Sequence, residues 1–320
     1  MASLTTTLAE RFTGCFLGEA IGDAVGRPME GVPANMIFSA WGSAEDIFNT
    51  PDQPTLSYTD DTQMMIGVAE ALLEVDSLEE EVLVRKFASN FDLRRRYGLG
   101  TIQILDAVRC GGDWRFLAES QFPGGSFGNG AAMRVAPVGL MFHDDLDRVW
   151  SEARLSALPT HRHPLGIEGA QLLAIAIALL ARDAIFNQDR FFAELRSRVT
   201  LDEYRWLIDS AASLEPDDTV SFLGNGIEAH RSVVTSIACF ALSPTSYKEA
   251  VGRAVCLGGD TDTLGAMTGA LSGTHLGING VPRELLSRLE DGEMGLRAIQ
   301  ALATRLFETR TRRAGRCPRG

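Results

Sequence analysis

The stretch "LAERFTGCFLGEAIGDAVG", residues 8–26, repeats apolar residues every three or four positions and predicts an α-helix. Glycine recurs inside it at 14, 18, 22 and 26. Four-residue spacing places these glycines on one slowly drifting face. Each costs about 1 kcal/mol of helix propensity relative to alanine. A helix with four such positions needs a compensating contact, and the close approach of a second helix provides one, as in small-residue packing. Glu19, Asp23 and Arg27 interrupt the segment, which argues against a helix pair inside a membrane.

The same helical period continues outward from this segment. It predicts helices over 62–74, 79–91, 145–158, 163–184 and 187–199, and again over 225–242, 261–277 and 295–310. Clean period-two alternation is scarce, and no hairpin signal stands out. The expected fold is therefore all-α, a compact multi-helix bundle. The apolar run "LLAIAIALLA" (172–181) is too short to span a bilayer and reads as a buried core helix. The Pro/Gly-rich stretches "NTPDQPT" (49–55) and "FPGGSFGNG" (122–130) are loop-sized, so one domain is expected over residues 1–309. The basic end "RTRRAGRCPRG" (310–320) reads as a disordered tail.

Composition narrows the function. The 320 residues carry a formal net charge of −12, which disfavours nucleic acid, whose phosphates call for clustered cations. It also disfavours anionic small molecules unless a bound cation reverses the local field. Cys15, Cys110, Cys239, Cys256 and Cys317 are scattered and form no C-x-x-C pair, as expected for reduced thiols in a cytoplasmic protein. The opening "MASLTTTLAERFTG" lacks the build of a signal peptide. A monomer with no membrane partner is the expectation.

Two acid pairs stand at predicted helix mouths. "YTDDTQMM" places Asp60 and Asp61 between Thr59 and Thr62, and "GGDTDTLGAMTGALSG" places Asp260 and Asp262 among Thr261 and Thr263. An N-cap needs one short polar side chain, not two carboxylates. Hard oxygen donors at this spacing suit Mg²⁺, Mn²⁺ or Ca²⁺, and four acids from two loops can hold two ions. The loop "GGSFGNGAAMR" (124–134) reads alone as a plain turn. Its glycines also let backbone N–H groups approach an anion, with Asn129 as a helix cap and Phe127 as a stacking face. In "PTHRHPLG" the histidines are either a cap and turn before the apolar helix, or His161 is a hydrogen-bond partner for a substrate phosphate or ribose. Taken alone, Glu30 in "GDAVGRPMEG" is an exposed loop residue. Arg94 to Arg96 read as a solvated helix face, with Tyr97, Gly98 and Gly100 forming a turn.

Together "GCFLGEAIGDAVGRPMEG", "YTDDTQMM", "SFGNGAAMR", "THRHPLGIEGA" and "GGDTDTLGAMTGALSG" resemble the ADP-ribosylglycohydrolase family, in its order, across roughly residues 11 to 280. The resemblance implies an orthogonally packed all-α fold and a centre of two Mg²⁺, with Mn²⁺ as a substitute. It implies Thr59, Asp60, Asp61, Asp260, Asp262 and Thr263 as metal ligands. It implies Ser126, Phe127, Gly128, Asn129 and His161 as contacts to ADP-ribose, with Gly98 and Gly100 shaping the phosphate side. Glu30 is then the acid/base, with Asp61 as its reserve. The implied reaction releases ADP-ribose from a modified protein or a small acceptor. "GSFGNG" with Glu30 is similar to the serine-type enzymes, whereas "GNGAAMRVAP" is similar to the arginine-type ones. A non-catalytic ADP-ribose binder, like the lens crystallins of the family, and a different Mg²⁺-dependent nucleotide hydrolase are the rival readings.

Overall fold

Thr7 and Glu10 open the first helix by bonding each other's backbone. The Thr7 hydroxyl accepts the Glu10 N–H at 3.2 Å, and Glu10 Oε2 accepts the Thr7 N–H at 2.7 Å. The helix that follows, α1 (Leu8–Gly26), has the bounds its periodicity predicts. The computed structural model describes residues 6–49 and 54–315, and among these residues it has sixteen α-helices and only isolated β-bridges. After α1 come α2 (Ala34–Trp41), α3 (Asp60–Glu74), α4 (Glu80–Asn90), α5 (Leu99–Arg109), α6 (Trp114–Ser120), α7 (Ala136–Met141) and α8 (Leu146–Ala157). The second half holds α9 (Pro164–Arg182), α10 (Gln188–Arg198), α11 (Asp202–Ala212), α12 (Ala229–Leu242), α13 (Tyr247–Val255), α14 (Thr261–Leu276), α15 (Arg283–Leu286) and α16 (Leu296–Ala314).

The glycine stripe of α1 meets a second stripe on α14. A β-carbon on Gly14, Gly18, Gly22 or Gly26 would stand 2.3, 2.4, 2.0 or 2.1 Å from the carbonyl oxygen of Gly273, Gly269, Gly265 or Thr261. The relation is mutual: on Gly273, Gly269 or Gly265 it would stand 2.0, 2.2 or 2.3 Å from the carbonyl of Gly14, Gly18 or Gly22. The pairing runs antiparallel. It sets the end of α1 beside the start of α14, although more than 230 residues separate Gly26 from Thr261. The Tyr247 hydroxyl donates to the Gly18 carbonyl at 2.6 Å and Thr261 Oγ1 donates to the Gly26 carbonyl at 2.8 Å, pinning the contact along its length and at its Gly26 end.

Other helices wrap this pair. α13 and α12 pack on α14, α16 on α1, and α4 on α3. α9 is long and apolar enough to cross a membrane by length and composition, yet it is almost entirely buried, against α7, α8, α12 and α14. The basic end departs from its reading as a disordered tail. α16 continues to Ala314, where Arg313 donates to the carbonyls of Leu72 and Val75 at 3.2 and 2.9 Å and Arg310 pairs with Asp144 at 3.0 Å. The Arg313 guanidinium satisfies open acceptors at the C-terminus of α3, and α16 is held there by that contact. Residues 316–320, with Cys317, lie outside the described residues, as do residues 1–5 of the opening segment and 50–53 of the "NTPDQPT" loop. The four described cysteines are free thiols.

Substituting Gly22→Ala should lower unfolding stability by about 1–3 kcal/mol or more in urea titrations, because the new methyl meets a backbone oxygen that cannot rotate away. A gain of up to about 1 kcal/mol, the value of helix propensity alone, would contradict the close α1–α14 contact.

Candidate active site

Asp23, on the last turns of α1, organises the mouth of α3. It is fully buried, and its carboxylate accepts the N–H of Thr59 at 2.9 Å, the N–H of Thr62 at 3.1 Å and the Thr62 hydroxyl at 2.6 Å. A carboxylate from one helix thus caps another, and the Thr-Asp-Asp-Thr turn is fixed to α1. In the sequence Asp23 stands out only as an interruption of an apolar segment. The available signal was its position in a polar i, i+4 row, Glu19–Asp23–Arg27, on a helix expected to be buried.

The other loops are stitched to this corner through backbone bonds. The Gly31 N–H donates to the Gly259 carbonyl at 2.8 Å and the Gly259 N–H to the Val32 carbonyl at 3.2 Å, tying the Glu30 turn to the Gly258-Gly259 turn. Both of those glycines have positive φ, 73° and 76°, which frees the chain to double back before Asp260. Asp260 N–H donates to Asn225 O at 2.9 Å, Asn129 N–H to Ile227 O at 2.9 Å, and Ala229 N–H to Phe127 O at 3.0 Å.

These loops enclose a cleft of about 380 Å³. Glu30, Asp60, Asp61, Gly98, Gly100, Ser126, Gly128, Asn129, His161, Asp260, Asp262 and Thr263 all line it, so most of the residues singled out in the sequence converge. Two do not line it. Thr59 is fully buried behind the floor, its hydroxyl 3.3 Å from Asp61 Oδ1. Phe127 points away: it is 47% exposed and meets the His163 ring edge-on at 5.8 Å, so its ring offers the cleft no stacking face here. Asn129 is not the helix cap it was expected to be. Its amide donates to Asp260 Oδ2 at 2.6 Å and to Ser232 Oγ at 3.1 Å, holding one carboxylate in place. Leu99, Phe122 and Ile227 also border the cleft, apolar residues that no motif marked.

Charge is concentrated on the floor. Burial first, and then the neighbouring carboxylates, push Asp60, Asp61 and Asp262 well above the usual carboxylate range. Burial raises Asp260 as well, against the pull of the Asn129 amide. Burial lifts Asp23 to about 6, opposed by its bonds from Thr62 and Thr59. Asp61 Oδ2 is buried without a hydrogen-bond partner. Among the described residues no three acid, histidine or cysteine side chains stand together as a finished coordination sphere. The donor chemistry nevertheless fits a divalent cation: hard oxygens, one of them orphaned, in mutual repulsion that a cation would relieve.

Burial and the nearby Arg134 hold the imidazole of His161 neutral, its pKa lowered to about 3. Its Nδ1 lies 2.7 Å from Thr160 Oγ1, which accepts from Arg134 Nη2 at 2.9 Å. Arg134 is fully buried, stacks on Phe87 at 4.7 Å and donates to the Ser156 carbonyl at 2.8 Å. This guanidinium anchors the histidine, and although it closes the quoted "GGSFGNGAAMR" segment it was given no role there. His161 therefore serves as a positioned hydrogen-bond partner, while His163 caps α9, its Nδ1 accepting the Leu165 N–H at 3.1 Å. The three arginines differ from a uniform solvated face. Arg94 and Arg96 are exposed, the first paired with Asp92 at 2.7 Å and the second with Glu30 at 3.0 Å, whereas Arg95 is half-buried, stacks on Tyr58 at 3.8 Å and pairs with Glu290. Gly98 caps α5, and Gly100 is within that helix rather than in a turn.

An all-α bundle whose glycine-paired helices bring two acid pairs to one cleft defines a hydrolase architecture that known proteins share. The chain matches the family model for ADP-ribosylglycohydrolase over residues 4–315. It is 32% identical to ADP-ribosylhydrolase ARH3 of Danio rerio over 344 residues, covering 94% of this chain and 91% of that protein. It is also 32% identical to ADP-ribosylhydrolase ARH3 of Homo sapiens, covering 85% of this chain and 87% of that one. A solved structure described as an ADP-ribosylglycohydrolase-related protein complex superposes with a TM-score of 0.72 at 24% identity, over 95% of this chain and 99% of that one, and shares the fold. The chain belongs to the ADP-ribosylglycohydrolase family, and it is a glycohydrolase enzyme.

The raised carboxylates predict a pH signature without metal. A group whose native pKa exceeds its unfolded value loses stabilisation as pH rises above the unfolded value, near 4. In EDTA, Asp61→Asn should therefore raise the thermal midpoint, and the gain should be larger at pH 8 than at pH 5. A gain independent of pH, or a loss at pH 8, would contradict the crowding of charge on the floor.

Proposed function

We propose that this enzyme hydrolyses the bond between the ribose anomeric carbon of ADP-ribose and a modified side chain, arginine or serine, or a small acceptor, and that it does so with two Mg²⁺, Mn²⁺ serving as a substitute. The observation that carries this reading is the convergence of Asp60 and Asp61 with Asp260 and Asp262 on the floor of one cleft, with Glu30 at its edge. Family membership supports the ADP-ribosyl chemistry, and the relatives named ADP-ribosylhydrolase support hydrolysis. The free thiols fit a cytoplasmic location, where the protein would act as a monomer without nucleic acid or membrane partners.

Asp60, Asp61, Asp260, Asp262 and Thr263 would hold the ions, with Thr59 bracing Asp61 from behind. Bound Mg²⁺ supplies positive charge that orients water and ribose hydroxyls and offsets the diphosphate. The chain's own groups do the rest. Asn129 keeps Asp260 oriented. Ser126 and the neutral His161 line the same cleft and offer hydrogen bonds, and Gly128 leaves room beside them for a ligand. Cleavage passes through an oxocarbenium-like state. Glu30 takes the proton of the attacking water or assists the leaving group, a contribution of about 10²–10⁴-fold in comparable enzymes.

Glu30→Gln should lower turnover of ADP-ribosylated protein by roughly 10²-fold or more while keeping its affinity for free ADP-ribose, measured by product chromatography and calorimetry. Near-normal turnover in that variant would remove Glu30 from the role. Incubation with arginine- and serine-linked substrates, with and without EDTA, assigns the linkage. Released phosphate in place of free ADP-ribose would overturn the reaction class.

A further inference from the structure

The acidic cleft has a basic shoulder. Arg96 lines the cleft beside Glu30 and also lines a second hollow of about 170 Å³, whose other walls are Ala24, Arg27, Pro28, Thr55 and Ser57. Arg27 is half-buried, donates one hydrogen bond to the Ser57 carbonyl at 3.2 Å and makes no ion pair among the described residues. Arg96 has φ 64°, the one non-glycine residue with positive φ among the described residues. A left-handed backbone is strained for a side chain of this size, and such strain concentrates at functional sites. The strain is held by Arg96 Nη1, which donates to the Arg27 carbonyl and to Glu30 Oε2, each at 3.0 Å. The result fixes two guanidinium groups around one hollow at the edge where Glu30 stands.

We propose that Arg27 and Arg96 form an anion-binding subsite that takes a carboxylate or phosphate carried by the target polypeptide next to its modified side chain. The inference rests on the hydrolase reading above, with Glu30 in its leaving-group role, which puts the departing polypeptide on the Glu30 side. Guanidinium forks match the oxygens of carboxylates and phosphates, and the hollow's other polar walls are the residues Thr55 and Ser57. The hollow is smaller than a typical small-molecule site, so it suits one such group rather than a nucleotide. The subsite sets which targets are preferred, while the acid pairs carry out the cleavage.

The test uses three peptides ADP-ribosylated at one residue of the cleavable linkage: one with flanking glutamates, one with flanking glutamines, one with a flanking phosphoserine. Fluorescence anisotropy in EDTA and ADP-ribose release in Mg²⁺ are measured for the wild type, Arg27→Gln and Arg27→Lys. The wild type should bind an anionic peptide about tenfold more tightly than the glutamine peptide, with the difference in KM rather than kcat and shrinking in high salt. Arg27→Gln should bring that ratio close to one, and Arg27→Lys should restore part of it. Whichever of glutamate and phosphoserine shows the larger ratio identifies the natural anion. Equal binding of all three peptides by the wild type would overturn the subsite, as would an equal loss for free ADP-ribose in Arg27→Gln, which would assign the guanidinium to the diphosphate. Absence of ADP-ribose release from every peptide, with the binding ratio intact, would instead count against the hydrolase reading and leave the subsite standing. Peptides neither bound nor cleaved would overturn both.

Discussion

Backbone meets backbone where α1 crosses α14. At Gly22 and Gly265 each helix leaves out the β-carbon that would strike the other's carbonyl oxygen, 2.0 and 2.3 Å away. This contact fixes the register of two helices from opposite ends of the chain. Because the pairing is antiparallel, the end of α1 and the start of α14 share one corner. Asp23 then reaches from α1 to cap α3, so a third helix mouth joins them. The propensity lost at the glycines is offset by close packing and by the hydrogen bonds from Tyr247 and Thr261 to α1 carbonyls.

The chemistry of the cleft follows from that geometry. Four carboxylates brought to one floor repel one another, and burial sharpens the repulsion by removing water. The fold does not neutralise them with cations of its own. Arg95 is engaged with Glu290, and Arg134 is turned to Thr160 and Phe87. The floor is left as a set of hard donors, with Asp61 Oδ2 unpartnered. In the same cleft the fold supplies a neutral imidazole and a backbone kept close by Gly128 and Gly130, whose α-positions face the His161 ring. The carboxylates suit cations, and these neighbouring groups suit the uncharged parts of a ligand.

Much of this was legible in the chain. α1, α9 and α14 match the periodic segments closely because long buried helices leave a strong apolar pattern. No helix is predicted from the sequence at α2, α6, α7, α11, α13 or α15. These have four to eleven residues, three turns at most, so the period has little length in which to register. The sequence places a turn at Tyr97, Gly98 and Gly100 because these glycines look like breakers, but Gly98 is the cap of α5 and Gly100, inside it, faces Gln121 and Phe122. In the site, acids beside helix mouths were conspicuous because two carboxylates exceed what capping requires. Asp23 and Arg134 were not, since each does its work through burial and long-range hydrogen bonds, which spacing does not encode. Phe127 lies in a recognisable motif, yet its ring direction is set by packing against His163.

On this reading the α1–α14 contact assembles one divalent-cation centre from acids at both ends of the chain, and anomalous diffraction from crystals soaked in Mn²⁺ would show it. Two peaks among Asp60, Asp61, Asp260 and Asp262 are expected. Crystals that take up Mn²⁺ at neither position, or only at surface carboxylates elsewhere, would contradict it.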